Sequence, residues 1–399
     1  MKFLNIILIL FCTAFLAANS IFSFDGLPIQ YYGNDVYGLG MGESGTGDLF
    51  RINTDYLNPS LASTSNQVTF STAVSLGYIR YKDKDSSYRA DGIYFPYFTA
   101  NVPIGRHKFA FSFNSFSSGN LENELEREWE EYKFTEINRI NSSIYKMDLI
   151  YTLKNDYLNI GIAMNYYIGH RTRYWEADFA DTEISDSKYE LEKNFKNPGY
   201  SIGVSKKTGN ISFGLAYNSN VDLGGDIIFK YAHPPYSDNV VKNEEHGFNL
   251  PARYSGGITC RLKGRLKTSL DLYYEIWKDL EEYDKNTLKV AAGIAYDPLS
   301  GYGKWYERIP LRMGGYYREL PFEVNEGKII EKAVSFGLSI PLKSSNKKID
   351  LAVSYISRGD LNKHDIEDDS LFFSVGVLGL DIFSKRAKRT EHRDIPKPD

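Results

Sequence analysis

The sequence predicts an all-β fold, a 14-stranded antiparallel transmembrane β-barrel. Three observations predict it. Fourteen stretches alternate apolar and polar residues, and the links between them alternate between very short and long. No apolar run outside the N-terminus approaches the ~20 residues that a membrane helix needs. In a strand, successive side chains face opposite sides. A segment such as Leu158, Ile160, Ile162, Met164, Tyr166 and Ile168 against Asn159, Gly161, Ala163 and Asn165 therefore has one apolar and one polar wall. Repeated along a chain, that pattern suits a barrel with lipid outside and a wet lumen.

Composition agrees: 15% of the 399 residues are aromatic, with Tyr 31, Phe 24 and Gly 33, and net charge is −4. Mean hydropathy is −0.39 and pI about 6.0, so nothing points to nucleic acid as a partner. The one long apolar run, 3–18, follows Lys2 and reads as a signal peptide over residues 1–20, with Ala18 and Ser20 suiting cleavage before Ile21. Phe11 before Cys12 is too bulky for lipoprotein processing. After cleavage only Cys260 remains, a small apolar filler within a strand.

Strands are expected at 67–82, 91–104, 107–119, 142–154, 157–173, 199–207, 210–222, 250–263, 265–279, 286–298, 308–319, 331–343, 347–358 and 370–383. The clearest alternations are Phe109/Phe111/Phe113, Ile211/Phe213/Leu215/Tyr217 and Leu266/Leu270/Leu272/Tyr274/Ile276. A Lys or Arg on the lipid face costs roughly 2–4 kcal/mol near the midplane, and an acid somewhat less, which assigns Lys267, Asp271 and Glu275 to the lumen. Links near 104–106, 155–156, 207–209, 263–265 and 344–346 are tight and carry Gly, Asn or Asp, as hairpins need. Long links fall at 120–141, 174–198 and 223–249. If the first strand runs outward, every tight turn is periplasmic and every long loop external. An inner link at 299–307 is longer than the rest.

The outer loops differ from one another. Leu121, Leu125, Trp129 and Phe134 have near-helical spacing among glutamates, suiting a solvated surface helix or an amphipathic lid over the mouth. The 228–248 loop, with Pro234 and Pro235, reads as irregular. The basic tail at 384–399 reads as a solvated periplasmic extension, with contact to a periplasmic partner or anionic headgroups as the sharper alternative.

Residues 21–66 do not alternate. Their glycines (Gly38, Gly40, Gly42, Gly45 and Gly47) lack the strand and βαβ unit of a dinucleotide loop. They suit a compact segment whose backbone approaches the inner wall closely.

Three segments resemble the FadL family of outer-membrane transporters of long-chain fatty acids and other hydrophobic compounds. They are YGLGMGESGTGD (37–48) with NTDYLNPSLAS (53–63), LPARYSGGITCRLKGRLKTSLDLYYEIW (250–277) and IPLRMGGYYREL (309–320). The first departs from the family at Ser60, Leu61 and Ser63, and only Asp48 keeps the acidic character that follows the glycines. The resemblance implies a domain order of hatch 21–66 inside the lumen of a barrel 67–383. It also implies a monomer in the cell outer membrane, surrounded by lipid and delivered by the barrel assembly machinery. The expected function is passive uptake of a hydrophobic ligand past the hatch. The alternative is a FadL-like barrel serving as an interaction or shuttle subunit of a protein secretion system. Gly40, Gly42, Asn58 and Pro59 are the gating candidates, read as structural pivots ahead of ligand contacts. Arg312 is a candidate for holding a ligand carboxylate, set against pairing with a lumenal acid such as Asp271 or Glu275.

Catalysis, cofactors and metal are not expected. Gly199-Tyr200-Ser201-Ile202-Gly203 spells G-x-S-x-G but lies within a strand, not at a strand-turn-helix elbow. The six histidines are scattered, and no HExxH or CxxC occurs.

Overall fold

The computed structural model describes residues 20–23, 29–129, 132–179, 185–233, 236–243, 248–278, 280, 285–298, 305–325, 327–342 and 347–379. The signal peptide before Ser20, the tail 384–399 and Phe383 lie outside them. The first strands are β1 (Thr69–Asp83), β2 (Ser87–Tyr94), β3 (Tyr97–Ile104), β4 (His107–Trp129), β5 (Tyr132–Leu153) and β6 (Asn159–Phe179). Then come β7 (Ser187–Thr208), β8 (Ile211–Asn218), β9 (Val221–Leu223), β10 (Ile227–His233), β11 (Tyr236–Asn243), β12 (Phe248–Leu250) and β13 (Arg253–Arg261). The remainder are β14 (Leu266–Glu275), β15 (Thr287–Tyr296), β16 (Leu311–Val324), β17 (Gly327–Pro341), β18 (Lys348–Gly359) and β19 (Ile366–Leu378).

Neighbours pair antiparallel around the ring, β8 meets β13, and β1 closes on β19 from Ser71↔Leu378 to Asp83↔Ile366. Counting β2 and β3 as two halves of one strand, the wall has fourteen strands, as the alternation requires. Pairing of β1 with β19 closes the ring, so the first and last strands present no open edge to lipid, which could not hydrogen-bond it.

The alternation sorts as expected. Leu149, Ile162, Met164, Leu215, Leu270, Met313, Val334 and Phe336 are exposed on the outer surface. Tyr200, Tyr217, Tyr254 and Tyr274, on four adjacent strands, form an aromatic row toward one rim, with Tyr217 and Tyr254 rings 5.0 Å apart. An apolar band with an aromatic edge is the surface of a bilayer-spanning barrel. Inside, Lys267, Asp271 and Glu275 are all buried, together with Ser, Thr and Asn from other strands.

Three expectations are corrected. First, 121–129 and 132–138 are strand, neither helix nor lid. β4 runs 23 residues and β5 runs 22, paired out to Trp129↔Tyr132. A spacing of four fits a strand as well as a helix, and Glu122, Glu124, Glu126 and Glu128 at intervening positions complete a period of two. Second, 174–179 and 187–198 are strand and not loop, because β6 and β7 extend through them and pair out to Ala177↔Ser187. Third, within 223–249 the β10–β11 hairpin adds to the free side of β7. About 9–11 residues of a strand cross a bilayer, so β4, β5, β6, β7, β10 and β11 form a sheet standing well beyond it.

Residues 29–66 lie within the lumen. They are short turns, a helical turn Val36–Gly40 and a 3-10 turn Pro59–Thr64, buried through most of their length.

Candidate functional site

The lumenal segment is shaped by its own side chains. Asp35 caps the helical turn by accepting from Gly38 N at 2.7 Å. It also accepts from Thr54 Oγ1 at 2.9 Å and pairs with Arg51. Arg51 reaches Asp55 at 2.9 Å and Asp48 at 3.6 Å, so one guanidinium draws three carboxylates together. Asn58 caps the 3-10 turn through Ser60 N, while its Nδ2 donates to Thr46 O and to Val204 O of β7, each at 3.1 Å.

The wall is cut to receive this segment. Gly45 N and Thr46 N donate to Asp271 at 2.8 and 2.7 Å, and Lys267 pairs with Asp48 at 2.8 Å. Thr152 Oγ1 donates to Pro59 O at 2.7 Å. The ring of Tyr37 sits among Arg51, Lys267, Arg312 and Lys348, each 4.1–4.8 Å from its centre. Gly42, at φ +67°, lies so close to β16 that a β-carbon there would fall on the backbone of Gly315. Such an approach is open only to glycine.

Gly40 and Gly42 therefore dock on β16 and β17, whereas Asn58 and Pro59 dock on β6 and β7 across the lumen. The four residues brace opposite walls, and they do not converge on a pocket. Arg312 is near Gly40 and fully buried, but its guanidinium donates to Ser339 and to Leu338 O at 2.8 Å and pairs with Asp350 at 3.4 Å. Asp271 and Glu275 serve other partners: Glu275 accepts from Tyr32 Oη and Trp277 Nε1, both at 2.9 Å.

The three acids on Arg51 do not share it equally. Burial pushes Asp55 up to about 7, the pull of Arg51 notwithstanding, and neighbouring Asp35 adds to the rise. Burial also raises Asp35, but Arg51 and the Gly38 N–H outweigh it and hold that carboxyl at about 2. An acid whose folded pKa is raised costs the fold stability as pH climbs from its unfolded value to its folded one. Asp55→Asn is thus expected to raise the thermal midpoint above about pH 7, by an effect of at most about 4 kcal/mol, with the gain gone below about pH 4. A thermal scan showing the same difference at both pH values would contradict this assignment.

The open space lies elsewhere. A cavity of about 100 Å³ sits between Ile29–Asn34 and the wall, lined by Tyr31, Tyr94, Tyr316, Ile356 and Phe372. Tyr94 and Phe372 meet edge-on at 5.4 Å. Two cations border it, and both are paired. Arg318 lies 3.6 Å from Glu275 and 3.8 Å from Glu331, while Arg358 bonds Glu331 and lies 3.0 Å from Asp368.

Beside the cavity the wall is incomplete. The second strand breaks at Phe95-Pro96; below the break β3 pairs with β4, but above it β2 pairs only with β1. β4 carries a register shift between Ser115 and Ser117 and from there pairs only with β5. Among the described residues no ladder joins β2 to the upper part of β4. The lumenal segment crosses this seam: Tyr31 N donates to Phe116 O at 2.7 Å and Ser117 Oγ to Ile29 O at 3.3 Å. Proline inside a strand marks an edge or a bulge, so Pro96 was the legible sign of the seam. The cavity's tyrosines carry no comparable sign.

Beyond the cavity Phe116, Ile144, Tyr167, Phe195, Leu250 and Trp277 form a buried core. Further out, one face of the extended sheet carries Phe134 against Phe179, at 5.0 Å, and Trp175 against Tyr189, at 5.7 Å. Among the described residues no His, Cys, Asp and Glu cluster with metal-site geometry occurs.

Fold and lumen together define a membrane-spanning β-barrel filled by its own N-terminal segment. Residues 1–388 match the family model described as BamG, and the chain belongs to the BamG family. No curated protein matches the sequence. Solved structures of FadL type share the fold. A Pseudomonas aeruginosa FadL homologue aligns with TM-score 0.63 at 12% identity, over 87% of this chain and 98% of its own. The P. putida toluene transporter TodX gives 0.61 at 14%, over 86% and 97%. The Ralstonia pickettii toluene transporter TbuX gives 0.55 at 13%, over 90% and 99%. The FadL resemblance thus holds as a likeness of architecture, and the family is BamG.

Proposed function

We propose that this barrel passes hydrophobic molecules, with long-chain fatty acids and smaller hydrocarbons as candidates, passively across the outer membrane. The observation that carries the reading is the cavity behind an unpaired seam in the wall, closed by Ile29–Tyr31. Apolar solutes need no energy source, because burial contributes roughly 25 cal/mol per Å². Aromatic residues at the outer mouth supply a first surface, the cavity a second and the seam an exit into lipid. The toluene transporters that share the fold support a hydrophobic cargo.

The cavity also bears on cargo size. It is smaller than the roughly 150 Å³ void that admits benzene, so entry of any ligand requires Ile29–Asn34 to shift, and a long alkyl chain requires a larger shift. A fatty-acid carboxylate would have to draw Arg318 or Arg358 from Glu331, which favours neutral molecules. In this reading Gly40, Gly42, Asn58 and Pro59 hold the base of the hatch fixed, and Arg312 fastens the wall beneath it. Cells carrying the protein should accumulate labelled toluene, and more slowly labelled oleate, faster than cells lacking it. Equal accumulation of both compounds would contradict uptake.

A second reading, an interaction subunit of a secretion system, is favoured by the sheet that stands beyond the membrane. Co-purification in mild detergent separates the two: a stoichiometric partner supports the second, and a lone barrel with bound lipid the first.

A further inference from the structure

We propose that the upper edge of β4, from Asn120 to Glu128, is a docking strand. Its partner is an extended, basic segment of a second polypeptide, which adds to the sheet by backbone pairing. Such docking requires no transport through the barrel.

The register carries it first. From Ser117 to Trp129, β4 pairs on one side with Ile144 to Tyr132 of β5. Its other side has no ladder among the described residues, and β2, the strand that should lie there, is engaged with β1 alone. Asn120 and every residue from Glu122 to Glu128 are exposed. That leaves an exposed strand paired on one side, with no ladder on the other among the described residues. Adding a strand to such an edge supplies affinity through main-chain hydrogen bonds and specificity through alternate side chains.

Natural sheets blunt long edges with lysine, proline, bulges, short strands or a cover. Here the 120–128 stretch contains no lysine and no proline, and the register shift lies below it. What guards this edge is charge alone, four glutamates and Arg127 within 120–128, so the charge pattern selects what pairs.

Glu122, Glu124, Glu126 and Glu128 share one face at a spacing of two. Arg139 pairs with Glu122, and Lys133 lies opposite Glu128. Glu124 and Glu126 face Ile137 and Thr135 across the ladder, so neither has a cation directly opposite, and Arg139, bonded to Glu122, reaches Glu124 only diagonally. Like charges directly opposite destabilise a strand pair, whereas opposite charges stabilise it. A second copy of this edge would set glutamate against glutamate. A strand with lysine or arginine at every second position would neutralise the row.

The test uses the full-length protein in detergent and a nine-residue peptide alternating Lys and Val. Three controls accompany it: a Glu-Val counterpart, an N-methylated Lys-Val peptide and the variant Glu124→Lys/Glu126→Lys. The Lys-Val peptide should bind and slow amide hydrogen exchange at 120–128. It should lose about tenfold in affinity to the double variant, which in turn gains affinity for the Glu-Val peptide. N-methylation should abolish both binding and protection, since it removes the backbone donors. Absence of binding, binding without protection at 120–128, or unchanged binding by the N-methylated peptide would each overturn the proposal. So would dimerisation of the protein through this edge in sedimentation.

Discussion

Cells carrying Gly33→Cys/Asn114→Cys in a Cys260→Ser background should lose hydrophobic uptake when oxidised, falling to the level of cells without the protein, and recover it on reduction. A β-carbon at Gly33 would stand 3.4 Å from Cβ of Asn114, close to the ~3.5–4.5 Å that a disulfide spans. Gly33 has φ +77°, so a cysteine there carries a backbone cost of roughly 1–2 kcal/mol, small enough for the bridge to form. The bridge would fasten the Ile29–Asn34 segment, the part that must shift to admit a ligand, to β4 beside the cavity. A second bridge, Ser60→Cys/Ser205→Cys, joins two hydroxyls 2.7 Å apart at the base of the lumenal segment. It should leave uptake intact in both redox states, because the base is held fixed in any case. Labelled-toluene uptake measured on both variants decides the matter. Loss with the base bridge and retention with the Gly33 bridge would reverse the assignment of fixed and moving parts.

Gly42→Val has the second large effect. Its side chain would have to occupy the backbone of Gly315 at a φ that a β-branched residue does not adopt. The cost should reach or exceed about 4 kcal/mol, the range reserved for disrupted cores and strained backbone. The lumenal segment then leaves its seat on β16 and β17, but the wall keeps its own hydrogen bonds. Heat-modifiable gel migration, which reports the closed barrel, should be preserved. Susceptibility to large hydrophilic antibiotics should rise, because a fourteen-stranded lumen is wide enough to leave a passage when unfilled. An unchanged susceptibility with a folded barrel would show that the segment tolerates the substitution or that other residues seal the lumen.

Much of this architecture was legible in the sequence because a transmembrane wall leaves each residue two environments. Leu215 faces lipid and Asp271 the lumen for the same reason: a one-residue slip of register would exchange them. Turn chemistry was equally readable, since a tight hairpin needs residues such as Gly105 and Gly209, both at positive φ. The upper halves of β4 to β7 were not legible. Outside the bilayer neither face is obliged to be apolar, so Glu122 to Glu128 alternate with residues of mixed character and the period loses contrast. The lumenal segment was recognised by what it lacks, but its seat depends on contacts such as Gly42 on Gly315, set by residues far apart in the chain. Arg312 shows the same limit. Its parity placed it inside, yet its partner, Asp350, lies on a strand that spacing could not rank above Asp271 or Glu275.

A hydrophobic molecule is expected to occupy the cavity behind the seam. Bromobenzene diffused into crystals of the detergent-purified protein measures this directly through the anomalous scattering of bromine. A peak between Tyr31, Tyr94 and Phe372, with Ile29–Asn34 displaced to admit it, is the predicted result. Bromine confined to the lipid-facing band, with the cavity unchanged, would contradict it.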